Sequence, residues 1–226
     1  CDMEVIVRIN GMETEYYMDD LNTIVSDKID AIMLPKARCN DLIELDKILT
    51  KLEKERNMKK KLVVIPIIEL AISLIEVDSI ASCPRVNGIL LGAEDFTSDM
   101  EVERTKASNE ILYARFKVAT ACHAYGIDAI DTPFTDVNDN DGLIKDTNFA
   151  KSIGLTSKAA IHPNQIDAIN SIFVPSKKMI DWAVRVDYAS KQNTTGVFSL
   201  DGKMVDKPVM DRARKILAKA KRYGLL

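Results

Sequence analysis

The chain has 226 residues, of which 46% are apolar and 29% charged, and its net charge is −3. A chain of this length buries roughly 70% of its unfolded surface, so it needs neither disulfides nor a structural metal to fold. The composition excludes a largely disordered chain, and the lack of a basic surplus argues against a nucleic-acid binder.

Six apolar, β-rich runs punctuate the sequence. Strands are expected at 4–10 (EVIVRIN), 31–35 (AIMLP), 62–68 (LVVIPII), 86–91 (VNGILL), 127–131 (IDAID) and 158–162 (KAAIH). The third is apolar throughout, as a strand buried on both faces should be. Helical stretches lie between them. Asp41–Arg56 carries Leu42, Leu45, Ile48, Leu49 and Leu52 at helical spacing, and Asn109–Tyr125 carries two adjacent apolar stripes, with Gly126 as its C-cap. Strands alternating with helices imply βαβ units and a parallel sheet. After His162 the alternation stops: helices are expected at 165–172, 177–191 and 206–223, with a turn-rich or extended link over 193–205. Six βα units are two fewer than close a barrel. The expectation is an open sheet, or a barrel lacking two upstream units.

Other features are read more simply. The longest apolar run, Leu62–Ile68, is too short to cross a membrane, and residues 1–10 show no signal-peptide pattern. Cys1, Cys39, Cys83 and Cys122 form no C-x-x-C pair. Reduced thiols in a cytoplasmic protein are therefore expected, with no redox dithiol or metal cluster. The charged run 51–61 reads as a solvated helix end. Trp182 and the nine methionines read as core, and His123 as structural. The glycines show no dinucleotide or Walker pattern.

Parallel sheets place their chemistry at the carboxyl ends of the strands. Each expected strand ends in polar residues: Arg8–Asn10, Lys36, Glu69, Glu94–Asp95, Asp131–Thr132 and His162–Asn164. Glu69 is the sharpest case. A carboxylate against an apolar run needs a metal or an ion-pair partner such as Lys36 or Arg8. Asp95 follows Gly92, where backbone can approach a ligand closely; its structural alternative is a helix N-cap, and Ser98-x-x-Glu101 also fits a capping box. Two hard carboxylates on adjacent strand ends suit Mg²⁺, which takes few protein ligands. Arg8 suits a carboxylate or an enolate oxygen, or a structural ion pair. His162 suits a substrate hydrogen bond or a structural role.

Seven segments together, IVRIN (6–10), MLPKA (33–37), PIIEL (66–70), GAEDF (92–96), IDTPFTDVND (130–139), IHPNQI (161–166) and LDGKMVDKPVMDRARKIL (200–217), resemble the family of citrate lyase β subunits and malyl- and citramalyl-CoA lyases within the HpcH/HpaI aldolase superfamily. They occur in family order over nearly the whole chain. The resemblance implies a TIM-type (β/α)₈ barrel, here without its first two βα units, over residues 1–173, and a C-terminal helical extension over 174–226. It implies Mg²⁺ held by Glu69 and Asp95, Arg8 on the substrate carboxylate or developing enolate, and amides around Ala93 and Glu94 on the oxo-acid carboxylate. Lys36 is the candidate contact to coenzyme A phosphates. Asp206 matches the acid that the family's extension offers to a neighbouring subunit's site; on residue pattern alone it reads as a helix N-cap.

The implied reaction is carbon–carbon cleavage of a citryl-type 3-hydroxy-acyl thioester, on coenzyme A or an acyl carrier protein, to an acetyl thioester and a 2-oxo acid. The implied assembly is a homotrimer, in a citrate lyase complex with α and γ subunits, without nucleic acid or membrane. His162 stands where the citrate lyase subunits often carry asparagine and leans toward a stand-alone citramalyl- or malyl-CoA lyase, whereas GVFSLDGKMVD leans toward the complex. An inactive truncated relative acting as an oligomerisation module, and an aldolase acting on free oxo acids, are the readings of other kinds.

Overall fold

The computed structural model describes residues 3–193 and 196–226. Cys1 and part of the 193–205 link lie outside the described residues. Two compact units divide the chain, at 1–169 and 170–226.

The first unit is an α/β unit. In chain order its elements are β1 (Ile6–Arg8), α1 (Tyr17–Ile24), β2 (Ala31–Leu34), α2 (Cys39–Glu55), β3 (Val63–Ile68), α3 (Ala71–Ile75), α4 (Val77–Ala81), β4 (Gly88–Leu91), α5 (Ala93–Asp99), α6 (Leu112–Tyr125), β5 (Asp128–Asp131), α7 (Asn140–Ser152), β6 (Ser157–Lys158) and the start of α8 (Ile166–Phe173). The six strands form one sheet in the order β1-β2-β3-β4-β5-β6, and every adjacent pair is parallel. A doubly wound sheet reverses its strand order at a switch point. This one does not, so each right-handed crossover steps the same way and the sheet curls with its helices on one side.

The two faces of the sheet differ accordingly. On β3, Val64 and Ile68 point into the large cluster shared with Ile32, Leu34, Ile89 and Leu91 and with helical residues such as Leu45, Leu49 and Val118. Ile65 and Ile67, of opposite parity, join Ala31 and Leu90 in a smaller cluster with Met33, Val63 and Ile130 alongside. That explains the unbroken apolar run over 62–68. Burial of each such Leu or Ile contributes about 1.5–3 kcal/mol. At the amino ends of the strands the less-filled face borders a cavity of about 400 Å³ lined by Ala31, Ile65, Gly88 and Ile130 among others.

Local signals set the helix ends. Gly126 stops α6 at φ 70° and its amide bonds Cys122 O, the left-handed C-cap that glycine adopts without steric cost. Asp139 caps α7 by accepting from the Gly142 amide at 2.8 Å.

Some expectations are corrected. The run 158–162 is not a strand: β6 ends at Lys158. His162 is extended, at φ −146° and ψ 143°, and caps a short 3₁₀ turn through Nδ1, because Pro163 disfavours helix at the residue before it. Extended backbone was legible there, but no neighbouring strand pairs with it among the described residues. Ser98 does not open a helix; it lies inside α5, and Glu101 turns the chain at φ 55° just beyond. Asp95 is likewise inside α5, whose N-cap is Gly92. Met3, Met100, Met179 and Met204 are exposed rather than core.

The second unit holds α9 (Lys177–Gln192), a hairpin of β7 (Phe198–Leu200) and β8 (Lys203–Val205), and α10 (Lys207–Arg222). The hairpin turns on Asp201 and Gly202, both at positive φ, which matches the twist of a two-residue hairpin. Ala183, Val186, Val205 and Ala213 form its core. Trp182 is half-buried and packs under the Arg212 guanidinium at 4.7 Å. No helix among the described residues is long and apolar enough to cross a membrane.

Candidate active site

The carboxyl ends of β1 to β4 bring the candidate residues together. Arg8 is the last residue of β1 and pairs in register with Met33. Beyond β2 the chain turns at Lys36, a non-glycine residue at φ 49°. That conformation aims the Lys36 amide at the next strand end, where it donates to Glu69 Oε2 at 2.8 Å. The Lys36 side chain itself is exposed. The Ala37 amide bonds Ile67 O at 3.3 Å and fastens the loop to β3.

Glu69 immediately follows β3 and is 5% exposed. Its carboxyl is held above the usual Glu range, first by burial and also by the negative charge of Asp95. The Lys36 amide and the charges of Arg8 and Lys36 work the other way. This places Asp95 and Arg8 within electrostatic reach of Glu69. The sequence offered a side-chain ion pair as the alternative partner; the direct partner is instead a backbone amide.

Gly92 immediately follows β4, and its amide bonds Ile68 O at 2.9 Å. A Cβ there would lie 2.9 Å from Ile67 Cγ2 and 3.0 Å from Glu69 Oε1, and nearer still to Glu69 Cγ. Only glycine leaves room for the Glu69 side chain between the two strands. The chain then enters α5, with Ala93 buried and Glu94 and Asp95 exposed in its first turn. The Ala93 amide donates to Thr132 Oγ1 at 3.3 Å. The Glu94 carboxylate lies 3.5 Å from Arg104.

The arrangement suits a hard divalent cation of low protein coordination. No group of three or more His, Cys, Asp or Glu among the described residues forms a metal cage. Buried Glu69 and exposed Asp95 supply only two carboxylates, which leaves the remaining coordination positions to waters and substrate oxygens, as Mg²⁺ prefers. Asp206 belongs to the second unit, where it caps α10 by accepting from the Val209 amide at 3.3 Å.

Sequence reasoning missed one feature beside the site. At the polar end of β5, Asp131 is taken up by cations of the chain itself. Asp131 is fully buried and accepts from Arg115 Nε and Nη2, both at 2.9 Å, and from Lys158 at 2.6 Å. Lys158 also reaches Asp146 and Thr132 O, both at 2.7 Å. Arg115 sits in an apolar helix and Lys158 in a short strand, and nothing in their spacing announces the pairing. Thr132, next to Asp131, was legible only as one polar strand end among six.

The family model for HpcH/HpaI aldolase/citrate lyase matches residues 1–163. The chain is 37% identical to citrate lyase subunit beta of Leuconostoc mesenteroides subsp. cremoris, over 95% of this chain and 73% of that protein. It is 31% identical to the mitochondrial citramalyl-CoA lyase of Rattus norvegicus, over 96% of this chain and 69% of that one. It superposes on the crystal structure of protein CitE from Mycobacterium tuberculosis, in complex with magnesium, acetoacetate and coenzyme A, with a TM-score of 0.77 and 28% identity, over 96% of this chain and 78% of that one. The chain belongs to the HpcH/HpaI aldolase/citrate lyase family of carbon–carbon lyases.

Proposed function

We propose that this chain cleaves a citryl-type 3-hydroxy-acyl thioester to an acetyl thioester and a 2-oxo acid, with Mg²⁺ as cofactor, as a citrate lyase β subunit. The observation that carries the reading is buried Glu69 just beyond β3, held by the Lys36 amide, with Asp95 in the first turn of α5 and Arg8 at the end of β1 within electrostatic reach of it. In this reading the curled sheet is the third to eighth strands of a (β/α)₈ barrel, residues 1–173, and residues 174–226 are the extension.

Glu69 and Asp95 would hold the ion, which when bound acidifies the substrate hydroxyl and orients the neighbouring carboxylate. The rest falls to the chain's own groups. The Lys36 amide keeps Glu69 Oε2 in one orientation, a backbone contact of the kind that fixes a metal ligand. The first amides of α5, at Ala93 and Glu94, receive the oxo-acid carboxylate, the Ala93 amide exchanging its 3.3 Å contact with Thr132 Oγ1 for it. Cleavage leaves the electron pair on the thioester as an enolate, and the Arg8 guanidinium stabilises its oxygen. The enolate carbon takes its proton from Asp206, offered by a neighbouring subunit of a homotrimer. The Lys36 ammonium, exposed above the strand end, meets the phosphates of a coenzyme A carrier.

The 37% identity to a citrate lyase β subunit supports the citryl substrate, and with it α and acyl-carrier γ subunits as partners in the cytoplasm. His162 and the similarity to citramalyl-CoA lyase support a stand-alone lyase acting on citramalyl- or malyl-CoA as the second reading.

The test is Mg²⁺-dependent release of 2-oxo acid from citryl-, citramalyl- and malyl-CoA, run on this chain beside Asp95→Ala. Release from one substrate, abolished in Asp95→Ala, is the expected result and names the acyl group. Release that persists without Mg²⁺ or in Asp95→Ala overturns the reading.

A further inference from the structure

The three described cysteines lie far apart in sequence, yet the fold brings two of them into contact. Cys39 Sγ and Cys83 Sγ are 3.5 Å apart, across 44 positions of sequence. Cys39 is the first residue of α2, and Cys83 follows the end of α4. The expectation that no dithiol forms rested on the absence of a C-x-x-C spacing. It overlooked pairing through tertiary structure, where α2 begins beside the end of α4.

Packing of two small apolar side chains would explain proximity alone. Two further observations go beyond it. The pair is asymmetric in access: Cys39 is half-buried, so a small oxidant reaches it, whereas Cys83 is only 9% exposed. The Cys83 thiol is also held locally, donating to Ser79 O at 3.3 Å, which keeps its sulfur against Cys39. A disulfide holds its sulfurs about 2.05 Å apart, so these two need to approach by about 1.5 Å. Burial pushes the Cys83 thiol up to about 12, and the more accessible Cys39 is the one that the oxidant meets first.

We propose that Cys39 and Cys83 are an oxidative modification site that closes to a reversible disulfide on exposure to a small disulfide such as oxidised glutathione. Cys39 as thiolate attacks one sulfur of the oxidant, forming a mixed disulfide and releasing one glutathione thiol. The Cys83 sulfur then loses its proton and attacks Cys39, breaking the mixed bond and releasing the second thiol. Two electrons pass from the protein pair to the oxidant, and two glutathione molecules leave in reduced form. The link ties the first turn of α2 to the segment after α4. It lies three positions beyond Lys36, whose amide holds Glu69, so it clamps one end of the loop that positions the carboxylate.

The experiment treats the full chain with oxidised glutathione, alkylates the remaining thiols, digests without reduction and maps the peptides by mass. The expected product joins the Cys39 and Cys83 peptides, disappears on dithiothreitol treatment, and gives way in Cys83→Ser to a glutathione adduct on Cys39. Cys122, fully buried, remains a free thiol. Recovery of Cys39 and Cys83 each alkylated or each glutathionylated overturns the proposal, and so does Cys39 joined to Cys1.

Discussion

Single residues in this chain answer to more than one demand, and substitutions separate them. Asp206 is an N-cap for α10 and the proposed proton donor. Asparagine caps a helix as well as aspartate does, whereas alanine costs about 1 kcal/mol. Asp206→Asn should therefore keep the thermal midpoint and abolish oxo-acid release, while Asp206→Ala should lower the midpoint as well as abolish release. Equal activity in Asp206→Asn and the parent chain would leave the residue as a cap and nothing more. Gly92 carries the opposite kind of demand. Its backbone needs no left-handed conformation; the constraint is the space that Glu69 and Ile67 occupy. Gly92→Ala should displace the Glu69 carboxylate and weaken Mg²⁺ binding by about tenfold or more, in the range of a lost orienting contact. Titration with Mn²⁺ as a spectroscopic stand-in measures it, with Glu69→Gln as the reference for loss of the ligand itself.

At the scale of elements, the packing of α6 and α7 against β5 and β6 rests on charge as well as on apolar contact. Arg115, Asp131 and Lys158 have fully buried side chains, and Asp146 is nearly so. A buried pair contributes little net stability over apolar residues, but removing one partner leaves an uncompensated charge at about 3–5 kcal/mol. Asp131→Asn should lower stability by about that much in urea unfolding, far more than an exposed pair such as Arg185–Asp201. Acid sensitivity follows from the same kind of contact. Burial raises the Asp146 carboxyl, but the nearby charges of Lys158 and Arg115 outweigh it and hold the group below its ordinary 3.8. Burial likewise opposes the Thr105 and Arg104 hydrogen bonds at Glu110, which bring it from 4.5 down to about 2. The unfolded chain binds these protons more readily than the folded one. The stability they contribute is therefore complete above about pH 4.5 and is lost as pH falls through their lowered values. Glu110→Gln should flatten the acid limb of the stability curve between pH 4.5 and 2, read as the urea midpoint.

For the whole molecule, the proposed shared site makes a demand that no single chain meets. If Glu69 and Asp206 of different subunits complete one site in a closed ring, two inactive variants rescue each other on mixing. Glu69→Gln and Asp206→Asn, dissociated and reassociated in equal amounts, should regain activity at about a quarter of the sites. Sedimentation of the mixture checks that the ring re-forms. No recovery from a re-formed ring would confine the whole site to one chain.

How much of this was legible follows from the range of the interactions involved. The positions of β2, β3, β4 and β5, the helices α2 and α6 and the Gly126 cap were written in local periodicity and turn chemistry, because a buried face and a φ of 70° each select residue types within a few positions. The candidate residues Arg8, Glu69 and Asp95 were legible as polar groups at the ends of apolar runs, where a solvent-averse environment makes a charge conspicuous. Other features depended on residues far apart in sequence. The Lys36 amide reaches Glu69 across 33 positions, Arg115 reaches Asp131 across 16, and Cys39 meets Cys83 across 44. Composition and spacing carry no record of such meetings, since each partner is chemically ordinary where it stands in the chain. The curled sheet decides them by aligning strand ends side by side and by burying charges that sequence alone would leave in water.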